Sequence, residues 1–363
     1  MEKEIKTTPI KNKKLKILET TLRDGSYAIN FSFTSADTSV ICKELESAGF
    51  EFIEIGHGVG LGASIKGYGT AAATDEEYMI AAKEALKKAK WGMFCIPGIA
   101  ELEDIDLAAK HGMGFIRIGT NVTDVEKSEP FIKRAKKYGM FVTANYMKSY
   151  ALPPEKFAEK VKLSESYGVD VVYIVDSAGG MFPEDLRHYV AAIRKVSNIP
   201  LGFHGHDNLG FAVANSMEAI TLGVDFVDTS LQGLGRSAGN ASTELLISIL
   251  HKQGWNININ LLQVLDIGQR LIQPILTRKG QMPLDVISGY ADFHSSYMPL
   301  IQKYSSKHKI NPLLLIIEMC KVDKVHVDEK ILDAIAQNIK AKEEVYLSGF
   351  GFNKYVGGEQ NKI

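Results

Sequence analysis

The stretch Pro200-Leu201-Gly202-Phe203-His204-Gly205-His206-Asp207-Asn208 decides how the rest of the chain is interpreted. Leu201 and Phe203 alternate with smaller or polar residues, which is the pattern of a β-strand. His204 and His206 stand two positions apart, so both imidazoles leave the same face of the sheet. Such a pair indicates either a divalent-metal site or two histidines with structural roles, and the pair alone does not choose between them.

Length and charge set the broad class of the protein. A chain of 363 residues with 45% hydrophobic composition can bury a large core. The formal net charge of −1 gives no indication of a nucleic-acid-binding or membrane-surface protein. No apolar run reaches the length that a bilayer crossing needs.

The termini and cysteines indicate the compartment. The polar start, Met1–Lys6, lacks the apolar segment of a secretion signal. Cys42, Cys95 and Cys320 are odd in number and far apart, which fits neither a disulfide framework nor a cysteine-based zinc site. We therefore expect a cytoplasmic globular protein.

From Leu15 onwards, short apolar runs alternate with segments of helical periodicity. The predicted strands are Lys16–Thr21, Phe52–Gly56, Gly92–Pro97, Phe115–Thr120, Phe141–Met147, Val171–Ser177, Leu201–His206 and Phe226–Gly233. The predicted helices between them include Ser35–Ala48, Glu76–Lys88, Pro154–Tyr167, Pro183–Val196 and Asn215–Leu222. This α/β pattern predicts a (β/α)₈ TIM barrel. A doubly wound open sheet is the alternative, but no Gly-x-Gly-x-x-Gly motif follows the first strand.

The alternation ends after the eighth unit, and helical segments follow one another. They are Asn260–Thr277, Met298–Ser305, Pro312–Cys320 and Glu329–Lys342. We predict three parts: a catalytic barrel over residues 15–257, a smaller, mainly helical C-terminal domain over 258–345, and a tail over 346–363 that is rich in glycine and aromatic residues near its start.

Function in such a barrel lies where the strands end. Asp24, just after the first strand, would join His204 and His206 in a set of one carboxylate and two imidazoles. Three such ligands leave positions on an octahedral ion open for a chelating substrate. The set suits Mn²⁺, Mg²⁺, Co²⁺ or Zn²⁺, of which we expect Mn²⁺. Asn240 is a further metal ligand, a group that orients one, or a turn residue of its glycine-rich loop.

Arg23 precedes the metal-binding acid directly. A guanidinium beside a divalent ion suits an enolate, because two positive centres can share the developing oxyanion. Arg23 could equally form a salt bridge with Glu54 or Asp176, and the two roles are compatible. His57, between two glycines, is a base, an orienting group or a loop residue.

These motifs together resemble a known superfamily. Thr21-Leu22-Arg23-Asp24-Gly25, His204-Gly205-His206 and Gly239-Asn240 are similar to the metal-dependent pyruvate aldolases and acyl-CoA lyases, the hydroxymethylglutaryl-CoA lyase-like superfamily. The stretches 54–62, 176–180 and 289–296 most closely resemble its 4-hydroxy-2-oxovalerate aldolase branch. The resemblance covers about residues 15 to 340.

The resemblance implies a class II aldolase, a carbon–carbon lyase. Such an enzyme cleaves or forms a 4-hydroxy-2-oxo acid, with pyruvate and an aldehyde as the other partners and a metal-bound pyruvate enolate as the intermediate. It implies Asp24, His204 and His206 as metal ligands and Arg23 as the enolate stabiliser. We expect the substrate-binding residues to be Thr21, Glu54, His57, Ser177 and Tyr290.

In one respect the chain departs from that branch. Two residues after the Asp-Gly pair, where the branch typically has a histidine, this chain has Tyr27. Four residues after the Gly-Tyr pair of the helical domain, where the branch typically has a tyrosine, it has His294. We predict that His294 carries the acid–base work and Tyr27 orients it or the substrate, since the pKa of histidine lies near neutrality. The alternative is that the exchange marks lost or altered aldolase activity.

Two rival functions share the same ligands. One is Claisen-type chemistry on an acyl-CoA, of the hydroxymethylglutaryl-CoA lyase or isopropylmalate synthase type, against which the stretch 54–62 argues. The other is a barrel that keeps the metal but acts as a binding or scaffolding subunit. The resemblance also implies an aldehyde dehydrogenase partner on the helical domain, and we expect a homo-oligomer.

Overall fold

Eight parallel strands, each hydrogen-bonded to the next in chain order, close into a barrel in which β1 pairs with β8. The structure is a computed structural model, and it describes residues 15–177, 179–207, 209–236, 239–276, 283–284, 287, 291, 297–322 and 327–340. The strands are β1 Lys16–Glu19, β2 Phe52–Glu54, β3 Lys90–Cys95, β4 Phe115–Asn121, β5 Phe141–Met147, β6 Val171–Asp176, β7 Leu201–Gly205 and β8 Phe226–Thr229. The predicted TIM barrel is confirmed, and the open doubly wound sheet is excluded.

A helix follows each strand and packs on the outside of the barrel. The helices are α1 Ser35–Ala48, α2 Asp75–Ala85, α3 Leu102–His111, α4 Glu129–Lys137, α5 Pro154–Tyr167, α6 Pro183–Arg194, α7 Ala212–Thr221 and α8 Thr243–Lys252. Helix α1 has its predicted bounds because both of its ends are capped. Thr34 and Asp37 form a reciprocal capping box, and Gly49 ends the helix in the left-handed region at φ 104°.

The interior of the barrel changes from apolar to charged along the strands. The apolar part of the interior is a cluster of aliphatic and aromatic side chains: Leu18, Phe52, Phe115, Val171, Tyr173, Val175 and Phe226. Side chains two positions apart on a strand leave the same face, so the next inward positions after Phe52, Phe115 and Phe226 are Glu54, Arg117 and Asp228. The apolar cluster therefore supports a buried charged layer directly beneath the mouth.

The C-terminal part is mainly helical, as the sequence predicts. Its elements are α9 Leu261–Ile267, a π-helical turn Gly268–Ile272, a 3₁₀ turn Gln273–Ile275, α10 Met298–His308, α11 Pro312–Val322 and α12 Glu329–Lys340. The domain bounds at 257/258 and 345/346 stay predictions, and the tail lies outside the described residues. No helix in the described part of the chain has the length and hydropathy that a bilayer crossing requires.

Candidate active site

Three side chains from the two ends of the barrel sequence converge at its mouth. One ligand atom each of Asp24, His204 and His206 lies within 4.8 Å of the others, and all three residues are buried. Asp24 reaches this position through a tight turn after β1, in which the carbonyl of Thr20 accepts the N–H groups of Arg23 and Asp24 over 3.1 and 2.8 Å. The structure thus brings together the set that the sequence singled out.

Each of the two imidazoles is oriented by a contact at its Nδ1 atom. His204 Nδ1 lies 2.8 Å from Asp228 Oδ2, which leaves Nε2 facing Asp24 Oδ2 at 3.4 Å. His206 Nδ1 lies 3.3 Å from the carbonyl oxygen of Arg236. A histidine that binds a metal usually donates its other ring N–H in this way, which fixes the tautomer and the orientation of the ring.

The pKa shifts of Asp24 and His206 favour the protonation states that bind a cation. Burial opposes the charged form of Asp24, but the Arg23 guanidinium and the two imidazoles outweigh it and hold the pKa of this carboxyl well below its usual range. Burial lowers the pKa of His206 to about 4, so this imidazole is neutral near pH 7. Burial also opposes charge on His204, but its contacts with Asp228 and Asp24 raise the pKa of this imidazole. An imidazole must be neutral to bind a metal, so a cation would compete with a proton at His204.

Asn240 reaches the same point from the loop after β8. This loop folds over the end of β7, where Ala241 donates its N–H to Gly205 O over 3.3 Å. Asn240 Nδ2 donates to Asp24 Oδ2 over 2.7 Å, while its Oδ1 is buried without a hydrogen-bond partner among the described residues. A buried oxygen without a partner is costly, and a divalent cation would satisfy it. Together with one carboxylate and two imidazoles, this oxygen makes a donor set that fits Mn²⁺, Mg²⁺, Co²⁺ or Zn²⁺.

Arg23 lies against the predicted metal-binding acid and also forms the salt bridge to Glu54, one of the two partners that the sequence left open. Its Nη1 donates to Asp24 Oδ1 over 3.0 Å, and its Nε donates to Glu54 Oε2 over 2.8 Å. The guanidinium also lies 4.7 Å from the centre of the Phe94 ring. Asp176 is not its partner, because that carboxylate accepts the backbone N–H groups at the start of the next loop.

Sequence reasoning missed two residues of the charged layer. Arg117 donates to Glu54 Oε2 over 3.0 Å, to Asn145 Oδ1 over 2.9 Å and to Asp228 Oδ2 over 2.6 Å. Asp228 is also the partner of His204. The available signal was a charge at the third position of two predicted strands, each of which begins with two apolar residues: Phe115–Thr120 and Phe226–Gly233.

Two of the expected substrate-binding residues are engaged inside the protein. The hydroxyl of Thr21 donates to Glu19 Oε1 over 2.6 Å and accepts the N–H of Leu231 over 2.7 Å. His57 Nδ1 accepts the N–H of Val59 over 3.0 Å, and its Nε2 lies 3.1 Å from Gly69 O. Its ring stacks on Phe31, with centroids 3.9 Å apart, and burial lowers its pKa. His57 therefore ties together the ends of the loop 57–69.

The other expected contacts lie nearer the mouth or outside the described residues. Ser177 Oγ, partly exposed, accepts the N–H of Lys148 over 2.9 Å. The Tyr27 ring lies 5.4 Å from the guanidinium carbon of Arg236, and burial raises its pKa, so the phenol keeps its proton at neutral pH. Tyr290 and His294 lie outside the described residues.

Comparisons with known proteins agree with the family that the motifs resemble. The HMGL-like family model matches residues 14–271. A 4-hydroxy-2-oxovalerate aldolase from Carboxydothermus hydrogenoformans is 37% identical over 328 residues, covering 90% of this chain and 98% of that protein. One from Moorella thermoacetica is 38% identical over 327 residues, covering 90% and 97%.

Solved structures show the same fold at low sequence identity. Hydroxymethylglutaryl-CoA lyase from Pseudomonas aeruginosa superposes with a TM-score of 0.65 at 18% identity, over 77% of this chain and 98% of that one. The carboxyl transferase domain of Rhizobium etli pyruvate carboxylase gives 0.63 at 16% identity, over 92% of this chain and 62% of that one. The resemblance drawn from the motifs is confirmed. The chain belongs to the HMGL-like family, and its relatives at 37% and 38% identity carry the name 4-hydroxy-2-oxovalerate aldolase.

Proposed function

We propose that this protein is a divalent-metal-dependent aldolase that cleaves, or forms, a 4-hydroxy-2-oxo acid, with pyruvate and an aldehyde as the other partners. The observation that carries the proposal is the convergence of Asp24, His204 and His206 beside the guanidinium of Arg23. The names of the relatives support the carbon–carbon lyase class and small-molecule substrates.

The metal is proposed to be held by Asp24, His204 and His206, with Asn240 Oδ1 as a fourth donor. We propose Mn²⁺, although Mg²⁺, Co²⁺ and Zn²⁺ suit the same donors. When bound, a divalent cation supplies a Lewis acid that stabilises negative charge on the 2-oxo group, so no lysine Schiff base is required.

Arg23 would stabilise the oxyanion that develops when the bond between C3 and C4 breaks. Its bonds to Asp24 and Glu54 fix the plane of the guanidinium. Its Nη2 makes no hydrogen bond to any residue that the structure describes, so it is available to the substrate. A donor held in place before the reaction needs little reorganisation as charge develops, which is where electrostatic stabilisation is strongest.

The proton transfer is assigned to His294, and a positioning role is assigned to Tyr27. His294 would take the proton of the C4 hydroxyl, directly or through a water, since an imidazole pKa lies near the operating pH. Tyr27, with its raised pKa, stays protonated and would orient the substrate or His294 by donating a hydrogen bond. This assignment rests on the motif exchange, since His294 lies outside the described residues.

The setting of the enzyme is also a proposal. We place it in the cytoplasm as a homo-oligomer. An aldehyde dehydrogenase would be the partner that consumes the aldehyde product, because a reactive aldehyde is best passed on without release into solution.

Exchange of the C3 protons of pyruvate in deuterated water tests enolisation without knowledge of the aldehyde. The protein with Mn²⁺ should exchange these protons, and a chelator should stop the exchange. A second experiment separates aldolase from Claisen-type chemistry. An aldolase should form product from pyruvate and one of a series of aldehydes, whereas a Claisen-type enzyme should form product from acetyl-CoA and a 2-oxo acid. A folded, Mn²⁺-bound protein that exchanges no C3 proton would contradict the proposal and favour the binding-subunit alternative.

A further inference from the structure

Arg117 lies inside the barrel and crosses its lumen. Its strand, β4, pairs only with β3 and β5, yet its guanidinium bonds Glu54 on β2 and Asp228 on β8 as well as Asn145 on β5. The residue is 0% exposed. Arg117 therefore touches neither solvent nor substrate, and any effect it has on the site must act through its partners.

Two carboxylate oxygens are each shared between Arg117 and a residue of the site. Glu54 Oε2 accepts from Arg117 Nη1 over 3.0 Å and from Arg23 Nε over 2.8 Å. Asp228 Oδ2 lies 2.6 Å from Arg117 Nη2 and 2.8 Å from His204 Nδ1. One guanidinium thus connects the arginine proposed to face the oxyanion with a histidine proposed to hold the cation.

We infer that Arg117 is a positioning residue that holds Arg23 and His204 in their relative orientation through Glu54 and Asp228. The kinetic part of this inference rests on the proposed function, whereas its metal-binding part does not. No other charged group among the described residues bonds both carboxylates.

A lysine could not replace this arginine. The guanidinium is a planar group with five N–H donors, so its two Nη atoms can serve acceptors on three strands at once. The guanidinium carbon also lies 4.6 Å from the centre of the Tyr173 ring, which is itself fully buried. An ammonium would keep the charge but lose the fixed directions of the bonds, and the carboxylates would no longer be held.

The test compares Arg117→Lys with a matched Arg194→Lys control. Arg194 Nη1 donates to Ile199 O over 2.7 Å, at the opposite end of β7 from the metal-binding histidines. Titration calorimetry with Mn²⁺ as the probe measures the affinity. The dissociation constant of Mn²⁺ should be about 10- to 100-fold higher for Arg117→Lys than for the wild type. The kcat of pyruvate C3 exchange at saturating Mn²⁺ should fall by about a hundredfold. Arg194→Lys should match the wild type in both measurements, and an Arg117→Lys protein that does the same overturns the inference.

Two further variants keep the test decisive if Arg117→Lys does not fold. Asp228→Asn acts on the histidine side and should raise the Mn²⁺ dissociation constant. Glu54→Gln acts on the Arg23 side and should lower the exchange kcat while Mn²⁺ affinity stays near the wild-type value. If Asp228→Asn keeps the wild-type Mn²⁺ affinity and Glu54→Gln keeps the wild-type exchange kcat, the inference is wrong. If the wild type binds Mn²⁺ without exchange, the proposed function fails, and the affinities still test Arg117.

Discussion

The Nδ1 of His204 and the Oδ2 of Asp228 form a buried hydrogen bond of 2.8 Å, and on the other side of the same ring Nε2 lies 3.4 Å from Asp24 Oδ2. One imidazole thus stands between two carboxylates. A divalent cation placed between Asp24 and His204 would replace a proton there, which couples metal binding to the stability of the folded barrel.

We therefore expect Mn²⁺ to raise the unfolding temperature of the wild-type protein. An ion that binds only the folded state, at a hundred times its dissociation constant, stabilises that state by about 2.7 kcal/mol. Asp24→Asn should lose this shift because it removes the only anionic member of the predicted ligand set. Differential scanning calorimetry with and without Mn²⁺ measures the shift in unfolding temperature for the wild type and for Asp24→Asn. An equal shift in Asp24→Asn would place the ion elsewhere.

A second prediction concerns Gly202, in the strand that carries the histidines. A Cβ added there would lie 2.5 Å from carbon atoms of the Tyr173 ring, which is fully buried beneath the Arg117 guanidinium. We expect Gly202→Ala to destabilise the protein by about 1–3 kcal/mol, because the ring has no free space to enter. Gly180→Ala is the matched control, since its Cβ would meet nothing within 4 Å. Urea unfolding distinguishes them, and equal midpoints would show that Tyr173 can move aside.

A third prediction concerns pH and Glu19, which lies outside the barrel lumen against the loop after β8. Burial, with repulsion from Glu244, raises the pKa of Glu19 from 4.5 to about 7, although hydrogen bonds from Thr21 and Thr243 oppose the rise. With this raised pKa, the folded protein binds the proton of Glu19 more tightly than the unfolded chain does. The contribution of this proton to the free energy of unfolding is therefore complete below pH 4.5 and is lost as the pH rises through 7. The loss amounts to about 3 kcal/mol.

Glu19→Gln should remove this dependence. Between pH 5 and pH 8 the free energy of unfolding of the wild type should fall relative to that of Glu19→Gln, whatever constant difference separates the two proteins. Urea unfolding at both pH values gives the comparison, and the exposed Glu159→Gln serves as the control that should follow the wild type. Parallel pH curves for the wild type and Glu19→Gln would contradict the assignment.

The fold could be predicted because its signals are local. An apolar run followed by an amphipathic segment, repeated eight times, specifies a barrel before any long-range contact is known. The bounds Ser35–Ala48 predicted for α1 were correct, and the residues that cap the helix, Thr34 and Gly49, are its direct neighbours in sequence. The strand ends were less accurate: Thr21 was assigned to the first strand, which ends at Glu19, because threonine is common in strands and no glycine or proline marks the turn before Gly25.

The charged layer could not be predicted because it exists only once the barrel has closed. Arg117 and Asp228 are 111 residues apart in sequence and meet across the lumen. In the sequence each was a single charged residue within a predicted strand. His57 also depends on the folded chain: its position between two glycines left a base, an orienting group or a loop residue open, and the folded loop engages both ring nitrogens.

The last prediction addresses the exchange of Tyr27 and His294. Replacing His294 with alanine should slow cleavage of a 4-hydroxy-2-oxo acid by about a hundredfold or more, because a positioned general base contributes at least that much. The pH profile of kcat should also lose the ionisation that an imidazole gives near neutral pH. Tyr27→Phe keeps the ring that lies against Arg236 and removes only the hydroxyl, so it should lower kcat less than His294→Ala and preserve that ionisation. Release of pyruvate, followed from pH 5 to pH 9, measures both variants. An unchanged rate in His294→Ala would mean that the proton is taken by another group and that the two residue types were not functionally exchanged.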